Sequence, residues 1–138
     1  MSPDERRAIA HDVEQVVVSF FHRLDGCDYD GLVALFAADG VWHRQGKALR
    51  GAADLMAAMR ARPAGVTQHV ASNLLVDVAG PDRATVTAYL VIFAHIGSSE
   101  TPAPMALPLS VAVYRAQTVR TAAGWRIGEL TSQMRFKR

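Results

Sequence analysis

Thr67-Gln68-His69-Val70-Ala71-Ser72-Asn73 is where the chain changes its hydrophobic period. Before it, apolar residues recur at three- and four-residue steps; from His69 onward they alternate or run together, as strand residues do. Helices first and long strands afterwards predict an α+β domain, with three N-terminal helices packed on the inner face of a curved antiparallel sheet. The same stretch opens its strand with a histidine, which gives it chemical as well as architectural weight.

Upstream, Ser2-Pro3-Asp4-Glu5 is a strong helix start: Ser2 suits the cap, Pro3 the first turn, and Glu5 completes a capping box. Ile9, Val13, Val16, Val17, Phe20, Phe21 and Leu24 then form one buried stripe. Asp25 continues along that side and Gly26 stops the helix. A carboxylate there is opposed both by burial and by the negative end of the helix dipole. Asp28 caps a second short helix that turns Leu32, Val33, Leu35 and Phe36 inward, and Asp39-Gly40 ends it as a turn. A short strand over 41–44, a hairpin or loop over 46–51 and a third helix over 52–62 follow, the last stopped by Pro63-Ala64-Gly65. Strands are predicted over 69–78, 83–96, 105–120 and 125–135, divided by Gly- and Pro-containing turns.

With 138 residues and 50% hydrophobic content the chain suits one domain with a real core. Its net charge of +2 comes from scattered Lys and Arg, clustered only at Arg135, Lys137 and Arg138. That is too thin a footprint for nucleic acid. The single cysteine, Cys27, excludes an internal disulfide framework and reads as a small buried residue in a reducing compartment. The N-terminus is polar where a signal peptide turns apolar, and no run reaches membrane-spanning length, so a cytoplasmic protein is expected, with neither nucleic-acid nor membrane partners.

Chemistry concentrates in a few residues. If Asp25 meets His69, the carboxylate fixes the imidazole tautomer and leaves a ring nitrogen able to take a proton. His95 closes the next strand and offers an acid, on an alternating face with Tyr89 and Phe93 as an aromatic wall. Arg44 and Ser110 are candidates to hold polar substrate atoms, and Trp42 to line the pocket. A metal held by His43, His69 and His95 lacks local ligand spacing, and the chain has no phosphate loop, so no cofactor is expected.

The order of several local strings resembles the nuclear transport factor 2-like superfamily, and within it the SnoaL-like, polyketide cyclase-like branch. These strings are Asp25-Gly26-Cys27-Asp28-Tyr29-Asp30-Gly31-Leu32 running into Ala34-Leu35-Phe36-Ala37-Ala38-Asp39-Gly40, Arg50-Gly51, Thr67-Gln68-His69 with Asn73, and Gly124-Trp125-Arg126-Ile127. The resemblance covers nearly the whole chain and implies a cystatin-like cone whose sheet and helices enclose a pocket. Scytalone dehydratase and hexachlorocyclohexane dehydrochlorinase of this superfamily use an aspartate before the second helix and a histidine at a strand start, positions that look like Asp25 and His69. His95 sits where the dehydratase has a second histidine. Leu24, Arg44 and Ser110 depart from its two tyrosines and asparagine, so scytalone is not the expected substrate. Phe20 and Arg44 likewise replace the tyrosine and carboxylate of steroid isomerases of this fold.

The expected function is therefore a cofactor-independent lyase, dehydratase, isomerase or cyclase acting on a small hydrophobic cyclic molecule in a closed pocket. Plainer roles compete: Asp25 as a turn cap, His69 as a half-buried histidine satisfied by backbone, and His95 as a solvated strand end. The other class is a binding or subunit-pairing domain, resembling the β-subunits of ring-hydroxylating dioxygenases. Leu107, Leu109, Val111 and Val113 alternate on one strand face and, with the family's habits, point to a homodimer.

Overall fold

Helix α1 (Pro3–Asp25) begins where the capping signal puts it: the Ser2 hydroxyl accepts from the Glu5 amide, and the Glu5 carboxylate accepts from the Ser2 amide. Its stripe of Ile9, Val13, Val17, Phe20, Phe21 and Leu24 is buried. The computed structural model describes residues 1–138. After α1 come α2 (Tyr29–Val33), β1 (Phe36–Arg44), β2 (Lys47–Arg50), α3 (Gly51–Arg60), β3 (Gly65–Gly80), β4 (Arg83–Ile96), β5 (Ser110–Thr121) and β6 (Gly124–Lys137). The strands form one curved, unclosed sheet in the order β2-β1-β6-β5-β4-β3, with the helices against its inner face. This is the expected α+β architecture.

Phe20 is the hub of the core. Its ring meets Phe21 and Trp42 edge-on at 5.2 Å each and Phe36 at 6.0 Å, tying α1 to β1. Leu55 and Met59 bring α3 into the same core, and Leu90, Ala112, Tyr114, Ile127 and Leu130 supply the sheet side.

Several boundaries differ from the sequence reading. Leu35 and Phe36 do not belong to the second helix: Phe36 opens β1, and the Leu35 carbonyl accepts from the Ile127 amide at 2.8 Å. Asp39-Gly40 is no turn; it lies within β1, where the pairing with β6 slips between Phe36 and Val41. A side chain at Gly40 would come within 2.8 Å of the Ile127 carbonyl, so the slip needs glycine. The β1–β6 pairing is parallel, which makes the sheet mixed rather than wholly antiparallel. Residues 46–51 resolve into a hairpin, with Gln45 and Gly46 both at positive φ between β1 and β2. Strand β3 starts at Gly65, four residues before His69.

The predicted strand over 105–120 begins only at Ser110, because Pro104 and Pro108 lack the amides a ladder requires. Leu107 and Leu109 are therefore exposed in a loop and do not share a sheet face with Val111 and Val113. Cys27, read as buried, is exposed in the α1–α2 turn, where its φ of 55° keeps it out of the helix line.

Phe20→Ala is expected to destabilise the fold by about 3 to 5 kcal/mol, since it empties the point where α1 meets β1. Urea denaturation measures this; a loss below about 1 kcal/mol contradicts the role of Phe20 as hub.

Candidate active site

Asp25 ends α1 and reaches across to the start of β3. Its Oδ1 accepts from the His69 ring nitrogen Nδ1 at 2.5 Å and from the Thr67 hydroxyl at 2.9 Å, and its Oδ2 accepts from the His69 amide at 2.8 Å. Alternation along β3 makes this possible, because Thr67 and His69 point to the same face two residues apart. Both partners of the pair are nearly buried, with side chains 15% and 11% exposed for Asp25 and His69. Burial pushes the Asp25 carboxyl up, but the hydrogen bonds from the His69 ring and amide, attraction to that ring and the Thr67 hydroxyl outweigh it, leaving the group below its ordinary range.

A carboxylate accepts only, so the proton of the short bond is assigned to Nδ1, and in the neutral ring the lone pair is then on Nε2. Nε2 has no hydrogen-bond partner in the protein and is not sealed from solvent. Phe21 stacks on the imidazole, centroids 5.7 Å apart and planes within 20°. Tyr114 packs on Phe21 at 4.7 Å; its buried hydroxyl has no protein partner, and burial raises its pKa well above the usual phenol range. Arg62 braces the other side. Its Nη1 donates to the Leu24 carbonyl and the Tyr29 hydroxyl, both at 3.0 Å, and its Nη2 to the Thr67 hydroxyl at 3.2 Å.

Asp25 and His69 thus meet, and the other candidates divide. Ser110 is buried on the inner face in the same cross-strand row as His69, through Ile92. Trp42 belongs to the core against Phe20, and the Arg44 guanidinium lies 5.4 Å from its ring. His95 is corrected: Ile92 faces inward beside His69, so Phe93 and His95 turn outward, as Tyr89 does. His95 and Phe93 instead line a shallow apolar cavity of about 330 Å³ on the outer face, beneath residues 103–107. His43 is exposed and contacts Glu129 at 3.0 Å, so the three strand histidines do not converge. A second cavity of about 460 Å³ lies between α3 and the β1–β2 hairpin, with Arg44 and Arg62 in its wall. Both cavities are partly open, and neither is lined by Asp25 or His69, which departs from the closed pocket expected around them.

Sequence reasoning missed Arg62, Thr67, Tyr29, Phe21 and Tyr114 as neighbours of the pair. The two-residue step from Thr67 to His69 was a usable signal for Thr67, and the alternation Ser110, Ala112, Tyr114 for Tyr114. No spacing pointed to Arg62, which reaches the pair only through the α3–β3 connection.

The model of the SnoaL-like domain family matches residues 5–131, so the chain belongs to that family, within the nuclear transport factor 2-like superfamily. No curated protein matches it by sequence. Among solved structures it resembles the hexachlorocyclohexane dehydrochlorinase LinA-type3 of Novosphingobium barchaimii LL02, with a TM-score of 0.84 and 14% identity over 99% of this chain and 93% of that one. A provisionally assigned scytalone dehydratase of Novosphingobium aromaticivorans DSM 12444 gives 0.80 and 14% identity over 99% and 91%. Aln2 of a Streptomyces species gives 0.78 and 21% over 97% and 93%. At such identities the likeness is one of fold, shared with neighbours described as cystatin-like. No helix is long and apolar enough to cross a membrane.

The lowered Asp25 pKa has a signed consequence for stability. Its contribution is complete above the ordinary carboxyl value of 3.8 and is lost as the pH falls through the lower value of the folded state. The stability gap between wild type and Asp25→Asn is therefore expected to be widest above the ordinary carboxyl value of 3.8 and to shrink as the pH falls below it. Denaturant unfolding across that range checks it; a gap that widens toward acid contradicts the bonding described.

Proposed function

We propose that this protein is a cofactor-independent lyase or isomerase acting on a small, largely apolar cyclic molecule, with His69 as the base and Asp25 as the residue that orients it. The observation that carries the reading is the 2.5 Å contact between Asp25 Oδ1 and His69 Nδ1, with Nε2 unpartnered. Such a ring takes a proton from carbon beside a carbonyl or a leaving group, and the adjacent carboxylate offsets the charge that develops on it. A halide leaves without protonation, so elimination needs no second acid. In an isomerisation the same Nε2 returns the proton to a neighbouring carbon. Both routes work without His95, which lies on the other side of the sheet. The dehydrochlorinase and dehydratase named among the structural neighbours lend this class of reaction support.

The subunit-pairing alternative draws on a different feature. Val70, Leu75, Tyr89 and Phe136 are exposed on the outer face of the sheet, beside Val91, Val111 and Val113. We propose that this face pairs two copies of the chain, which leaves the inner face free for chemistry. The exposed, unpaired Cys27 fits the reducing cytoplasm.

In a screen of small cyclic ketones, alcohols and halides, His69→Ala is expected to lose turnover by at least about 10²-fold while remaining folded by circular dichroism. Asp25→Asn is expected to lower kcat by about 10²-fold or more, because the amide no longer fixes the tautomer. Wild-type rates in folded His69→Ala remove the base assignment. For the pairing, sedimentation velocity at micromolar concentration is expected to show a dimer; a monomer ends that proposal.

A further inference from the structure

The cleft between α3 and the β1–β2 hairpin is cationic in a way the acid-base pair does not use. Arg44, Lys47 and Arg62 line it, and Asp54 is the acidic residue in its wall. Asp54 is engaged elsewhere, its Oδ2 accepting from the Arg50 amide at 3.0 Å at the start of α3. None of the ion pairs in the protein involves Arg44, Lys47 or Arg62. The Arg44 guanidinium donates no hydrogen bond to the protein, although it is half-buried and held against Trp42. Burial and the positive charge of Arg62 both lower its pKa, so the two guanidinium groups already feel each other. Like charges in a partly desolvated cleft are costly, and an anion between them removes that cost.

We propose that this cleft binds the carboxylate of the substrate, which makes the substrate a small organic acid with an apolar body. The proposal rests on the small-molecule reading above and adds the charge of the molecule. Arg62 is fixed by its bonds to Leu24, Tyr29 and Thr67, and Arg44 by Trp42, so neither side chain must be ordered when the ligand arrives. Leu49, Ala57, Ala58 and Ala61 complete an apolar wall, and a volume of about 460 Å³ suits a molecule of one or two rings. Arg62 also joins the cleft to the acid-base pair, since the Thr67 hydroxyl it donates to donates in turn to Asp25. The two arginines select the acid by charge and fork geometry, while the apolar wall rejects a bare inorganic anion.

Isothermal titration calorimetry at low salt with benzoate, cyclohexanecarboxylate and 1-naphthoate, each against its neutral amide, tests this without knowledge of the substrate. At least one acid is expected to bind about tenfold or more tightly than its amide and than inorganic phosphate. Arg44→Gln is expected to remove that advantage while leaving amide binding unchanged. If no acid outbinds its amide, or if folded Arg44→Gln keeps the preference, the assignment is overturned. Phosphate binding as tightly as the best acid overturns the organic-acid class. Because the readout is binding, it stands even if His69 proves not to be a base.

Discussion

The Asp25 carboxylate sits at the last turn of α1, where the helix carbonyls carry partial negative charge, so its own helix cannot satisfy it. Strand β3 supplies the donors: one backbone amide, one imidazole and one hydroxyl. Hydrogen bonds to a charged group contribute about 1.5 to 3 kcal/mol each, enough to offset the burial that opposes the charge. Apolar packing around Phe20 holds α1 on the sheet, and to it the carboxylate adds directional bonds. It sets which residue of α1 faces which residue of β3, and thereby fixes Arg62, whose guanidinium bridges the Leu24 carbonyl and Thr67.

Much of this was legible in the residues. The capping box and the stripe of α1 follow from local rules that hold wherever the chain goes. The pairing of Asp25 with His69 was accessible through resemblance and through the oddity of a carboxylate on an apolar stripe. Face and register were not legible. Alternation along β4 correctly groups Tyr89, Phe93 and His95, yet it cannot say which side of the sheet the group takes, because apolar residues occupy both. That ambiguity sent His95 inward in the sequence reading and outward in the structure. The parallel β1–β6 pair was equally hidden, since it joins segments more than eighty residues apart with no turn between them. Arg62 reads as an ordinary helix-end arginine until tertiary structure carries Thr67 and Tyr29 to it.

The site divides its labour by burial. Asp25 and His69 lie deep, where a short bond holds one tautomer and the neighbouring ring of Phe21 keeps the imidazole from turning. Arg44 and Lys47 lie in the more open cleft, and Arg62 belongs to both regions. A positive cleft beside a buried carboxylate orders the field across the site: an anionic ligand is drawn toward the arginines and repelled from Asp25. That asymmetry would orient a molecule before any specific contact forms.

The position of β6 has a consequence for how the domain comes into being. It is the last strand in sequence and lies third in the sheet order, between β1 and β5. The β1–β2 hairpin and the β3–β4–β5 meander therefore share no sheet hydrogen bond until residues 124–137 arrive to join them. During synthesis the ribosome still shields this segment after the rest has emerged, leaving two half-sheets with open edges and helices lacking part of their floor. The domain closes as a single sheet only once that segment is free to pair on both sides, so its vulnerable interval is the one before β6 joins.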